Sequence, residues 1–174
     1  MEPIAKKLKP FLQFRIGQMY RNGLGTDVDI PKAITYFQQS AEHGNVHAKR
    51  IIALEYISGE FLEQDIDKGI SILTECADSG DKLFCYWIGK IYLDGKITAQ
   101  DLDKAEKYLL AADKNEYTFY ALGKLYLTEE KRDVQRSVSY FEQCSDTNSW
   151  VKYQLGKIYL FGCGDVQQNR EKAL

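Results

Sequence analysis

The 174-residue chain has only two histidines, His43 and His47, and four cysteines that show neither a CxxC pair nor a cluster with histidine, so no zinc or dithiol signature is present. No nucleophile stands in a recognisable pairing with a base, and the sequence assigns no catalytic residue, no cofactor and no metal ligand. Its 23 Lys and Arg do not exceed its 25 Asp and Glu, which leaves no surplus to hold a phosphate backbone and argues against direct nucleic-acid binding. The longest apolar runs, such as Ile51 to Leu54, fall far short of the roughly 20 residues that cross a bilayer. The first ten residues are charged and lack the apolar centre of a secretory signal, so the expectation is a cytoplasmic chain with reduced thiols and no membrane contact. Three prolines against 13 glycines and 13% aromatic residues, in a chain apolar enough to bury a core, direct attention to internal repeats.

Self-comparison finds them. Ile16-Gly17-Gln18-Met19-Tyr20 is echoed by Ile88-Gly89-Lys90-Ile91-Tyr92, Leu122-Gly123-Lys124-Leu125-Tyr126 and Leu155-Gly156-Lys157-Ile158-Tyr159, with Ile52-Ala53-Leu54-Glu55-Tyr56 as a weaker copy. Successive small residues lie 36, 36, 34 and 33 positions apart, the period of a solenoid. A second block follows each first one, as in Lys32-Ala33-Ile34-Thr35-Tyr36-Phe37, Lys68-Gly69-Ile70, Lys104-Ala105-Glu106 and Arg136-Ser137-Val138. Apolar or small residues recur there at i, i+3, i+4 and i+7, one face of a helix, so each repeat is predicted to be a helix A followed by a helix B. The repeats span approximately residues 10–45, 46–81, 82–115, 116–148 and 149–174, the last incomplete.

Pro31 suits the first turn of a B helix, and Gly44 and Gly80 suit a left-handed residue closing one. Asn115 and Asn148 are expected to close later B helices in the same way. Glycines at 23, 25, 59, 95, 162 and 164 give sharp A-to-B reversals, whereas Thr128-Glu129-Glu130-Lys131 predicts a tighter, shorter connection. Gly17, Ala53, Gly89, Gly123 and Gly156 leave no bulk, so the facing helix can approach, and Tyr20, Tyr56, Tyr92, Tyr126 and Tyr159 wedge between helices. Gly17→Leu or Gly123→Leu is thus expected to overpack the array.

These blocks resemble the Sel-like repeat family, relatives of the tetratricopeptide repeats, through a Leu/Ile-Gly-x-x-Tyr-x-x-Gly segment, a Lys-Ala segment, an aromatic pair and a small pair before Gly. The match runs roughly from Phe11 to Leu174, with Ala53, Glu129 and Ser137 as departures. The resemblance implies an all-α fold, a right-handed superhelical solenoid of antiparallel helix pairs, and a non-catalytic scaffold for protein–protein interaction. Pro10 to Tyr20 and Lys157 to Gly162 are further similar to Sel-like segments that follow the nicking domain of some bacterial plasmid mobilisation relaxases. This chain holds no counterpart of that domain, so the alternative is an accessory or targeting tail of a larger enzyme. A signalling or host-interaction effector would use the same surface for a different partner.

In tetratricopeptide-like stacking the A helices line the concave surface. Residues three before the small position read Phe14, Arg50, Tyr86, Tyr120 and Tyr153; those one after read Gln18, Leu54, Lys90, Lys124 and Lys157. Three Tyr–Lys pairs at i, i+4 would offer rigid aromatic area beside positive charge to a protein or extended, acidic peptide. Packing of those tyrosines on the preceding repeat, with solvated lysines, is the competing reading. Phe11, Tyr117 and Trp150 extend the aromatic strip.

The acidic clusters Glu63, Asp65, Asp67 and Asp101, Asp103, Glu106 fall where B helices begin and are read as helix caps rather than a calcium site. Gly44 interrupts the His43–His47 spacing, and Cys76 and Cys144 occupy small positions that predict buried thiols. Arg170 to Leu174 reads as the start of a B helix, so Leu155 and Tyr159 are expected to lie exposed unless the natural chain runs on or a second copy covers them by self-association through the uncapped end.

Overall fold

The structure, a computed structural model, describes residues 4–144 and 148–173, with side chains from Leu8 onward. The described residues form helices and no strand, in two compact units that divide between Ser79 and Gly80. The first unit holds α1 (Ile4–Asn22), α2 (Ile30–Glu42), α3 (Val46–Ser58) and α4 (Ile66–Asp78). The second holds α5 (Lys82–Asp94), α6 (Leu102–Ala111), α7 (Glu116–Leu125), α8 (Val134–Phe141) and α9 (Ser149–Phe161). Odd-numbered helices are the A helices and even-numbered ones the B helices of the sequence repeat.

The starts of α2 to α9 are set by one device. A side-chain oxygen of Asp29, Asn45, Asp65, Asp81, Asp101, Asn115, Asp133 or Asn148 accepts a hydrogen bond from a first-turn backbone N–H of the helix it precedes. Asp65 and Asp101, singled out as caps from sequence, take that role. The sequence reading has Asn115 and Asn148 close B helices, and the structure corrects it. Their φ values of −141° and −80° are extended or ordinary, and their amide oxygens cap α7 and α9 instead. Gly44 and Gly80 do take positive φ, 87° and 94°, at B-helix ends.

In the first, third and fourth repeats the notch in the A helix is filled by the neighbouring B helix. A Cβ placed on Gly17 would lie 2.7 Å from Cε1 of Phe37, and one on Gly89 would lie 2.9 Å from Cγ of Leu109. On Gly123 it would enter the ring of Phe141. The second repeat has the same close approach with the residues exchanged: α3 carries Ala53 and α4 carries Gly69, whose added Cβ would meet the Ala53 carbonyl oxygen at 2.7 Å. The contact therefore has a bare backbone on one helix or the other. Ser137, standing where other B helices carry Ala33 or Ala105, adds a hydrogen bond from its hydroxyl to the Gly123 carbonyl at 2.9 Å.

The A-to-B connection is clamped by the repeat tyrosine. Its carbonyl accepts from the backbone N–H of the B-helix cap in every repeat: Asp29 to Tyr20, Asp65 to Tyr56, Asp101 to Tyr92, Asp133 to Tyr126 and Asn169 to Tyr159. The basic residue three positions after each cap lies over the ring, from Lys68 at 4.3 Å of the Tyr56 centroid to Arg136 at 5.4 Å of Tyr126. The fourth connection is two residues shorter and lacks glycine, yet keeps the clamp.

That shorter loop brings Lys131 back to Asp103 and Glu106, with Nζ 2.7 Å from a Glu106 oxygen, while the Tyr126 hydroxyl donates to Glu106 at 2.7 Å. These contacts, Lys131 first, hold the Glu106 carboxyl below its ordinary range. A depressed carboxylate stabilises the fold fully above its unfolded pKa and loses that contribution as pH falls through its folded value. Thermal melting of the native chain should consequently fall more steeply on acidification into the carboxylate range than that of Glu106→Gln, the two curves converging at low pH.

The end of the second unit corrects one expectation. Tyr159 is buried, not exposed, because Val134, Val138, Val166 and Ala173 pack around it and Leu155, and Lys172 lies over its ring at 5.2 Å. The chain's own segment after α9 covers that face, so a second copy is not needed to shield Tyr159.

Candidate functional site

In the second unit α5 and α7 pack side by side, and α9 reaches α7 through Trp150, whose ring centroid lies 5.1 Å from that of Tyr120. Residues four apart on one A helix share a face. Tyr86 and Lys90 of α5 and Tyr120 and Lys124 of α7 accordingly line one groove of about 140 Å³. Burial above all, then Asp94, raises the pKa of the Tyr86 hydroxyl, which keeps it a neutral donor. Nζ of Lys124 lies 5.8 Å from the Tyr120 centroid and 3.6 Å from a carboxylate oxygen of Asp94. Among the described residues Lys90 is exposed and has no ion pair.

Tyr153 and Lys157 form the same kind of pair on α9, 5.4 Å apart, with Tyr153 61% exposed. They do not line the groove between α5 and α7. In the first unit Phe14 packs against the core, 5.6 Å from the Phe37 ring, and the Gln18 side chain accepts a hydrogen bond from Arg15. Arg50 is half-buried.

Two features escaped the sequence. Asp94 sits in the groove because it ends α5 one turn beyond Lys90, at a position the repeat motif leaves unspecified. Tyr86 and Tyr117 also line a larger cavity of about 340 Å³, shared with Leu83 and Trp87 and edged by a Lys82–Asp113 ion pair at 3.3 Å. Tyr117 is 70% exposed and Leu83 45%, so this is apolar surface left in water. The signal lay in the apolar residues on the face of α5 next to Tyr86, which periodicity alone reads as core.

The other candidates stay apart. His43 Nδ1 lies 2.6 Å from the Gln39 carbonyl, and His47 packs against Phe14. Cys76 is buried and Cys144 half-buried, with burial raising the latter's thiol pKa. No group of three or more metal-ligating side chains converges among the described residues, and no described helix is long and apolar enough to cross a membrane.

Similarity to known proteins agrees with the architecture. The Sel1 repeat model matches residues 10–45, 83–112, 120–145 and 152–174. The longest unmatched stretch, residues 46–82, holds the second repeat, where Ala53 and Gly69 exchange places. No curated protein matches the chain. Among solved structures, a Sel1 repeat protein from Oxalobacter formigenes is 24% identical with a TM-score of 0.76, covering 97% of this chain and 71% of its own. The antigen c5321, described as protective, present in uropathogenic Escherichia coli strains and displaying an SLR fold, is 23% identical with a TM-score of 0.81. There the match covers 97% of this chain but 37% of the other, so the chain spans little more than a third of that protein. Both likenesses show the fold, an all-α repeat solenoid. Proteins built on this repeat generally serve as protein–protein interaction scaffolds, typically without catalysis. The chain belongs to the Sel1 repeat family.

Proposed function

We propose that the A-helix face of the second unit docks an extended, acidic segment of a partner protein, with Tyr86, Lys90, Tyr120 and Lys124 at its centre and Tyr153 and Lys157 beyond. The observation that carries this reading is the convergence of two Tyr–Lys pairs on one groove. Tyrosine supplies rigid contact area at low entropic cost, and lysine supplies steering charge. Asp94 already engages Lys124, which leaves Lys90 as the freer of the two groove cations to meet a carboxylate. The adjoining cavity shares the Tyr86 and Tyr117 walls with the groove, so a large apolar side chain beside the acidic residues would find a pocket there. Phe14, Gln18 and Arg50 belong to the other unit, and the proposal does not depend on them. A tail role beside a mobilisation relaxase rests on the sequence resemblance alone.

The test is a panel of acidic peptides, each with one Trp, Phe or Leu, titrated calorimetrically. The triple variant Lys90→Glu, Lys124→Glu, Lys157→Glu should bind at least about tenfold more weakly, a loss of about 1.4 kcal/mol or more, with helical content unchanged. Undiminished affinity in that variant would remove the groove from consideration.

A further inference from the structure

The repeats act as internal references for one another, and one of them lacks a ring. Counting seven residues from each B-helix cap gives Tyr36, Tyr108 and Tyr140 in three repeats and Ile72 in the second. Each of those tyrosines stacks on the A-helix tyrosine of its own repeat, at 5.7, 6.4 and 5.8 Å between centroids with interplanar angles of 11° or less. In the fourth repeat the column continues: Tyr140 lies between Tyr126 and Phe119, the latter at 6.1 Å, and packs on the cluster formed by α6 and α7. The corresponding second-repeat residues are Tyr56, Ile72 and Lys49. There the space between α2, α3 and α4 is a cavity of about 270 Å³ that Tyr56, Ile72 and Lys49 all line.

We infer that this cavity is a socket for a tyrosine side chain presented by a partner protein, which would stack on Tyr56 as Tyr140 stacks on Tyr126. Its floor is apolar, from Ala41, Ile52 and Ile72. Its rim is polar, with the Lys49–Glu75 ion pair at 3.1 Å and Glu42 nearby, which suits a ring with a hydroxyl at its far end rather than a plain hydrocarbon. Tyr56 already carries Lys68 at 4.3 Å from its centroid, so the aromatic platform is held in place before any ligand arrives. Burying a single ring in an open notch gives weak affinity by itself, so the occupant is one side chain of a larger docking surface rather than a free phenol. The socket lies in the first unit and is independent of the lysine groove.

N-acetyl-tyrosine amide, titrated into isotope-labelled protein and followed by amide shifts, tests the socket. Millimolar binding should move resonances of α2, α3 and α4 around Ile72, with N-acetyl-leucine amide at least several-fold weaker. Ile72→Tyr should fill the site from within, raise the melting temperature by a few degrees and abolish those shifts. Ala41→Leu, which narrows the opposite wall while keeping Ile72, should also abolish them. The Lys90, Lys124, Lys157 charge reversal should leave them unchanged. Shifts elsewhere, shifts that survive both blocking variants, or no shifts in the native chain would overturn the assignment.

Discussion

Gly123→Ala should destabilise the second unit by about 1–3 kcal/mol, and Gly123→Leu by about 3 kcal/mol or more, although each replacement improves intrinsic helix propensity. The added Cβ has nowhere to go: it enters the ring of Phe141, which is 1% exposed and meets Trp150 edge-on at 5.7 Å. Gly156 occupies the same motif position, yet an added Cβ there meets only the Ala173 carbonyl oxygen, at 3.5 Å, an ordinary contact. Gly156→Ala should thus gain about 0.5–1 kcal/mol from reduced backbone freedom. Thermal unfolding followed by circular dichroism would show the two variants on opposite sides of the native curve, separated by several degrees. Phe141→Leu placed on Gly123→Ala should recover part of the loss, since the two sites are in contact and their effects are not additive. If Gly123→Ala melted with the native chain, the close approach of α7 and α8 would be wrong.

The contrast between these glycines shows what could be read from the residues. Helix order, the notch and its tyrosine neighbour follow from periodicity, because each repeat poses the same packing problem and answers it with similar side chains. Cap assignment went astray at Asn115 and Asn148, since asparagine serves the end of one helix and the start of the next with comparable ease, and the deciding φ is a backbone property. In the candidate groove, the Tyr–Lys pairs of α5 and α7 were legible because i, i+4 spacing puts them on one face. Asp94 was not, being close to Lys124 only through the packing of two helices. The exposure of Leu83 was equally hidden, because an apolar residue on a helix carries no mark of whether a neighbour covers it.

The same limit governs the tyrosines, whose replacement by alanine should separate them widely. Tyr126 is 3% exposed, stacks on Tyr140 at an interplanar angle of 3°, donates to Glu106 and accepts from Arg136 at 3.3 Å. Tyr126→Ala removes a filled volume and leaves the polar groups of Glu106 and Arg136 with fewer partners, so a loss of about 3–5 kcal/mol is expected. Tyr126→Phe keeps the ring and the stack, and Glu106 still holds Lys131, so about 0.5–1.5 kcal/mol should go with the hydroxyl. Tyr153, a tyrosine on the A helix two elements later, is 61% exposed and rests beside Lys157; Tyr153→Ala should stay within about 0.5 kcal/mol of the native chain. Chemical denaturation of the three variants gives the ordering. Because Tyr153 contributes little to folding, any loss of peptide affinity in Tyr153→Ala is attributable to the docking face itself, whereas a drop in stability comparable to that of Tyr126→Ala would place Tyr153 in the core and withdraw it from the proposed surface.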